Sequence, residues 1–134
     1  MKISIIKGRP PNFEKIAAVF PGAYKAGTIF SYGNEIYVTS EHDLTPALFQ
    51  HEGVHCSRQM QMGVDLWWDK YLTDERFRYN EEMIAHQAEY QKAMQGSPNR
   101  NARRSNLNII AKRLSSPLYG RMVSFEQAKK DIAS

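Results

Sequence analysis

The chain has 134 residues and a mass of 15.4 kDa, the size of one domain, and its 42% hydrophobic and 24% charged residues exclude a disordered chain. The single Cys56 excludes an internal disulfide, and no window approaches the about 18 consecutive apolar residues of a membrane span. The net charge of +4 is uneven: residues 1–95 carry 10 Lys/Arg against 12 Asp/Glu, and residues 96–134 carry 8 against 2. A basic end of this kind could meet an acidic partner or nucleic acid, although its ordinary role is a solvated flank.

In chain order, Lys2 to Lys7 reads as a short strand stopped by Gly8-Arg9-Pro10-Pro11. The apolar run at this end is too short for a secretory signal, so a cytoplasmic location without signal-peptide secretion is expected. Asn12 caps a short helix over Phe13 to Phe20. Thr28 to Tyr32 and Glu35 to Thr39 flank Gly33-Asn34, a turn pair tolerant of positive φ, and predict a hairpin. Thr45 as cap, with Pro46 at the first helical position, starts a helix reaching Met60 or Met62. Val64 to Leu72 is a third helix. Thr73, Asp74 and Glu75 open a fourth that runs to Gln95, with acids in its first turn where the helix dipole favours them. A basic helix follows over Ser105 to Leu114. Ser124 and Gln127 form a capping box for a last helix, Phe125 to Ile132. Strands come first and helices follow, so the predicted class is α+β.

His51-Glu52-Gly53-Val54-His55 reads H-E-x-x-H inside a segment already predicted helical from its cap. Residues i and i+4 lie about 40° apart around a helix, one turn up, so both imidazoles face the same way. Two ring nitrogens held like that can share one Zn²⁺ at about 2.0–2.1 Å. Glu52 projects at the neighbouring angle, where it can reach a metal-bound water as general base. The four histidines are His42, His51, His55 and His86, and two of them stand at ligand spacing.

A catalytic zinc normally has three protein ligands. Positions 58 and 61 are Arg and Gln, so the extended motif with a third histidine is absent. The next helical acids are Glu81 and Glu82, and the turn at Gly63 gives the chain room to bring them back against the motif helix. Glu81 lies on an apolar stripe with Phe77, Ile84 and Ala88. Glu82 has the small Ala85 one turn on, with Arg78 and His86 four residues to either side. Either acid could complete a His₂Glu set.

Strand Ile36-Tyr37-Val38, Thr45-Pro46, His51 to His55, and then Arg78, Glu82 and Ala85 together resemble the gluzincin-type zinc peptidases. The likeness is to their small single-domain members, the minigluzincins and phage-encoded zincin-like proteins. It covers roughly residues 28–95. The resemblance implies a single zincin-like domain over residues 1–134, with short N-terminal strands and a hairpin, a helical bundle carrying the motif, and a basic helical part from residue 96. It favours Glu82 as third ligand. It also implies that the strand before the motif helix, Glu35 to Thr39, is an exposed edge that pairs with a peptide substrate. A residue to stabilise the oxyanion is expected from Tyr119, Tyr79, His86 or Tyr71, with Tyr119 favoured by the loop at Gly120.

The expected activity is peptide-bond hydrolysis with Glu52 as general base. The alternatives are a zinc-stabilised binding module with little turnover, in keeping with the absence of a second domain, and a nucleic-acid binder using Arg100, Arg103, Arg104, Lys112 and Arg113. Trp67-Trp68 reads as core cover with one exposed ring, and Met60, Met62, Met83 and Met94 as core filler. Cys56 points about 100° away from His55 and is a poor ligand of the same ion.

Overall fold

A computed structural model describes residues 2–116 and 122–134. Its architecture is α+β. Strand β1 (Ser4–Lys7), helix α1 (Phe13–Val19), and a hairpin of β2 (Phe30–Tyr32) and β3 (Glu35–Val38) precede five longer helices. These are α2 (Pro46–Met62), α3 (Val64–Thr73), α4 (Glu75–Gln95), α5 (Arg100–Leu114) and α6 (Phe125–Ala133).

The sheet order is β1-β3-β2. β3 is parallel to β1 in the register Ser4↔Glu35 to Lys7↔Val38, and antiparallel to β2 across Gly33-Asn34. The expectation of an exposed edge at 35–39 is therefore corrected. Both hydrogen-bonding sides of β3 are occupied, because the N-terminal strand returns in parallel to pair with it. Ile36 and Val38 are buried accordingly and pack with Cys56 of α2.

Helix boundaries follow their caps. The Thr45 side chain accepts from the Leu48 N–H at 3.2 Å with Pro46 at the first position, and Ser124 accepts from the Gln127 N–H at 3.1 Å. Asp74, one residue after the expected Thr73, caps α4 through the N–H groups of Arg76 and Phe77. α5 starts at Arg100 rather than Ser105, because Asn99 caps it through Ala102 N–H. Arg100 to Arg104 lacks apolar periodicity, and for that reason pattern reading placed the start too late.

Among the described residues, three apolar clusters form the core. Phe13, Ile16, Ala23, Trp67 and Trp68 join α1 to α3; Ile36, Val38 and Cys56 join the sheet to α2; Tyr79, Ile110, Ala111, Leu114, Ala128 and Ile132 join α4, α5 and α6. Both tryptophans are buried, against the expectation of one exposed ring, and both indole N–H groups are satisfied: Trp67 donates to Glu81 Oε1 at 2.8 Å and Trp68 to the Ser31 carbonyl at 3.1 Å. Met62 and Met83 pack against the core as expected, but Met60 is 55% exposed because it lies on the outer face of α2.

Two polar side chains fix how the elements meet. Gln59 is fully buried; its Oε1 accepts from Gly33 N–H at 2.8 Å and its Nε2 donates to the Ser31 carbonyl at 3.1 Å, which ties the hairpin to α2. Arg78 donates to the carbonyls of Tyr71 and Leu72 at 2.8 and 3.2 Å, which satisfies the C-terminus of α3. Gly63, at φ 107° and ψ 124°, is the one residue between α2 and α3. A side chain there is strained by backbone conformation rather than by space, since its nearest neighbour would be Leu66 Cβ at 3.9 Å. Gly63→Ala is expected to cost about 1–3 kcal/mol and to lower the thermal midpoint by several degrees. A differential scanning calorimetry midpoint equal to wild type would contradict this account of the turn.

Candidate metal centre

α2 and α4 cross so that the motif face of α2 meets the Glu82 face of α4. His51, Glu52, His55, Glu82, His86 and Glu89 are all buried there. Glu82 reaches both motif histidines. Its Oε1 is 3.1 Å from His51 Nε2 and its Oε2 is 2.9 Å from His55 Nε2. The Tyr71 hydroxyl of α3 donates to Oε2 at 2.8 Å. Glu52 Oε2 lies 3.6 Å from His51 Nε2.

The choice left open between neighbouring acids has a geometric answer. Glu81 points away from the histidines, to where Arg58, further along α2, clamps it through Nε and Nη2 at 2.6 and 2.8 Å and Trp67 adds a third hydrogen bond. Consecutive helical residues differ by about 100°, so only one of the pair can face the histidines, and that residue is Glu82.

Three further residues belong to this centre, two of which sequence reading missed. Glu89 Oε1 accepts from His51 Nδ1 at 2.9 Å and from His86 Nδ1 at 3.0 Å. Arg113 of α5 donates to Glu89 Oε2 at 3.0 Å. His86, which sequence reading left undecided, is 1% exposed. Glu89 could have been found, since it stands seven residues after Glu82 and so on the same face of α4. Arg113 carried no signal beyond its charge, because its position depends on how α5 packs. Of the expected oxyanion residues, Tyr71 and His86 line the centre. Tyr79 lies away from it, donating to Asp131 at 2.6 Å where α4 meets α6, and Tyr119 falls outside the described residues.

A cavity of about 530 Å³ opens on the centre. Ile16, Phe20, Leu48, Trp67, Trp68 and Tyr71 form apolar walls, and His51, Glu52, His55, Glu82, His86 and Arg113 form its polar side. The strand edge on this side belongs to β2 and the residues before it: Thr28 to Ser31 line the cavity. The Ser31 carbonyl is taken by Gln59 and Trp68, so the stretch available to a ligand is Thr28 to Phe30.

The donor chemistry fits a divalent ion. His51, Glu52 and His55 each offer a ligand atom within 4.8 Å of the others, and so do His51, Glu82 and His86. Donors held about 2.0–2.1 Å from one ion stand about 2.9–3.4 Å apart, and the 3.1 Å from Glu82 Oε1 to His51 and 2.9 Å from Oε2 to His55 fall in that range as well as in that of hydrogen bonds. The hydrogen bond that His51 Nδ1 donates to Glu89 is the kind of outer contact that orients a ligating imidazole. His55 Nδ1 is buried and has no such partner among the described residues.

Without an ion, the centre holds protons. Burial opposes charge on His51, but hydrogen bonds to Glu82 and Glu89 outweigh it and raise its pKa to about 10. Burial opposes charge on Glu82 and Glu89 too, yet the neighbouring imidazoles keep both carboxyls below their usual range. Burial raises Glu52, against the pull of His51 and His55, and lowers His86. Cys56, next in sequence to His55, is pushed up to about 12 by burial and is an inert thiol.

No family model matches the chain, and no curated protein or solved structure is significantly similar to it. Among the described residues no helix is long and apolar enough to cross a membrane.

The His51 shift sets a pH dependence. A pKa raised above the ordinary 6.5 adds stability that is complete below about 6.5 and is lost as pH rises through about 10. In chelator-treated protein, the gap in thermal midpoint between wild type and His51→Asn should therefore shrink from pH 6.5 towards pH 10. A gap that stays constant over that range would refute the assignment of the proton to His51.

Proposed function

We propose that this chain is a metal-dependent peptidase of the small gluzincin kind, with Zn²⁺ as the expected ion held by His51, His55 and Glu82. The single observation that carries the reading is that one buried carboxylate from α4 meets both imidazoles of an H-E-x-x-H helix at 2.9 and 3.1 Å, beside an open cavity. A divalent ion at these donors supplies positive charge that acidifies water and polarises a carbonyl.

The chain's own residues do the rest. The cavity seats a peptide against Thr28 to Phe30, with an apolar side chain between Phe20, Leu48 and Trp68. Glu52 stands one residue from the first ligand and lines the cavity. It takes a proton from the attacking water as the water oxygen bonds to the peptide carbonyl carbon. It returns that proton to the leaving nitrogen as the C–N bond breaks. Tyr71 holds Glu82 in place through its hydroxyl, and Glu89 holds His51.

Glu52→Gln keeps the shape and removes the base. It is expected to lower peptide hydrolysis by about 10²–10⁴-fold while elemental analysis still finds close to one metal ion per chain. Turnover that persists in Glu52→Gln refutes the mechanism. Metal retention with no hydrolysis by wild type over a broad peptide library would instead identify a metal-stabilised binding module.

A further inference from the structure

Beyond the three ligands of the proposed peptidase centre, α4 brings a third imidazole to the same place. His86 stands four residues after Glu82, one turn along the same face, and lines the same cavity. It is 1% exposed. Its Nδ1 donates to Glu89 Oε1 at 3.0 Å, the same oxygen that accepts from His51 Nδ1 at 2.9 Å. A carboxylate only accepts, so both Nδ1 atoms carry hydrogen and both rings turn Nε2 towards Glu82. His86 Nε2 is 3.8 Å from Glu82 Oε1, and the two rings lie 4.5 Å apart, centre to centre. His51, Glu82 and His86 each place a donor atom within 4.8 Å of the others.

Glu89 therefore treats His51 and His86 alike: one oxygen, the same ring nitrogen of each, nearly the same length. The contact that prepares His51 as a ligand prepares His86 as well. A move of about 0.5 Å brings His86 Nε2 from 3.8 Å into the range that separates donors on one ion.

We propose that His86 is a fourth protein donor to the ion, so that the centre consists of three imidazoles and one carboxylate. This rests on the metal reading of the centre above. Four protein donors together with a water exceed the usual tetrahedral set of zinc. Such a centre suits ions that accept five or six ligands, Co²⁺ and Ni²⁺ among them, as well as five-coordinate zinc.

The test uses the full chain, stripped with chelator and loaded with one equivalent of Co²⁺. Proton NMR in water then counts the hyperfine-shifted imidazole N–H signals. Three are expected, and His51→Gln, His55→Gln and His86→Gln should each remove one. The Co²⁺ dissociation constant of His86→Gln should rise at least about 10-fold. Two signals that both survive His86→Gln overturn the proposal and leave the three-ligand centre standing. No bound cobalt and no shifted signal overturn both. Should His86→Gln fail to fold, the wild-type count decides alone: three supports the proposal and two refutes it.

Discussion

The two oxygens of Glu82 each meet one imidazole of α2, and a phenol from α3 steadies the second oxygen. Three helices are thereby referred to one carboxyl group. A buried carboxylate is stable only where donors surround it, so the crossing of α2 and α4 is specified by chemistry as much as by shape. The apolar contribution along this crossing is modest. The buried side chains of α2 are His51, Glu52, His55, Cys56 and Gln59, and only Cys56 behaves as a hydrophobe. An interface this polar owes its register to pairing.

Neighbouring acids on α4 divide the work. Glu82 serves the histidines, while Glu81 is held by Arg58 of α2 and Trp67 of α3. The about 100° between them sends Glu82 to the histidines and Glu81 to Arg58, further along the same face of α2, so the two acids meet that helix at successive positions along its length. Seven residues on, Glu89 links the centre outward to Arg113. The basic C-terminal third thus reaches the centre through one specific arginine. The remaining basic side chains of α5, Arg100, Arg103, Arg104 and Lys112, are solvated.

What could be read from the sequence was local. Thr45 with Pro46, Ser124 and the Gly33-Asn34 turn act through hydrogen bonds within four residues, and the elements they start or join are where these signals place them. The i, i+4 histidines were legible for the same reason. The position of β3 was not, because its second neighbour, β1, arrives from about thirty residues earlier in the chain and pairs in parallel. Gln59 was passed over as a polar helix residue, although its amide makes the hairpin-to-helix joint. Pattern reading places one ring of Trp67-Trp68 at the surface, yet both are buried, Trp68 because the hairpin supplies a carbonyl for its indole. In each case the missing information was the identity of a distant partner.

Charge balance would connect the protonated centre to the proposed metal-bound one. With Glu52, Glu82 and Glu89 ionised, three negative charges are buried together, and Arg113 compensates one of them. In the absence of an ion the proton on His51 compensates a second, which is why its pKa climbs to about 10 despite burial. One negative charge is still left over, and burial answers by raising the pKa of Glu52. On the proposed metal reading, a divalent cation displacing the His51 proton would bring two positive charges in place of one, and the group as a whole would become neutral. On the proposed reading, such an ion would offset the repulsion that Glu82 and Glu89 exert on the Glu52 carboxylate, leaving burial as what still raises its pKa. If the centre is the proposed metal site, the arrangement that stores a proton in His51 would be the same one that lowers the repulsion on Glu52 once metal took the place of that proton.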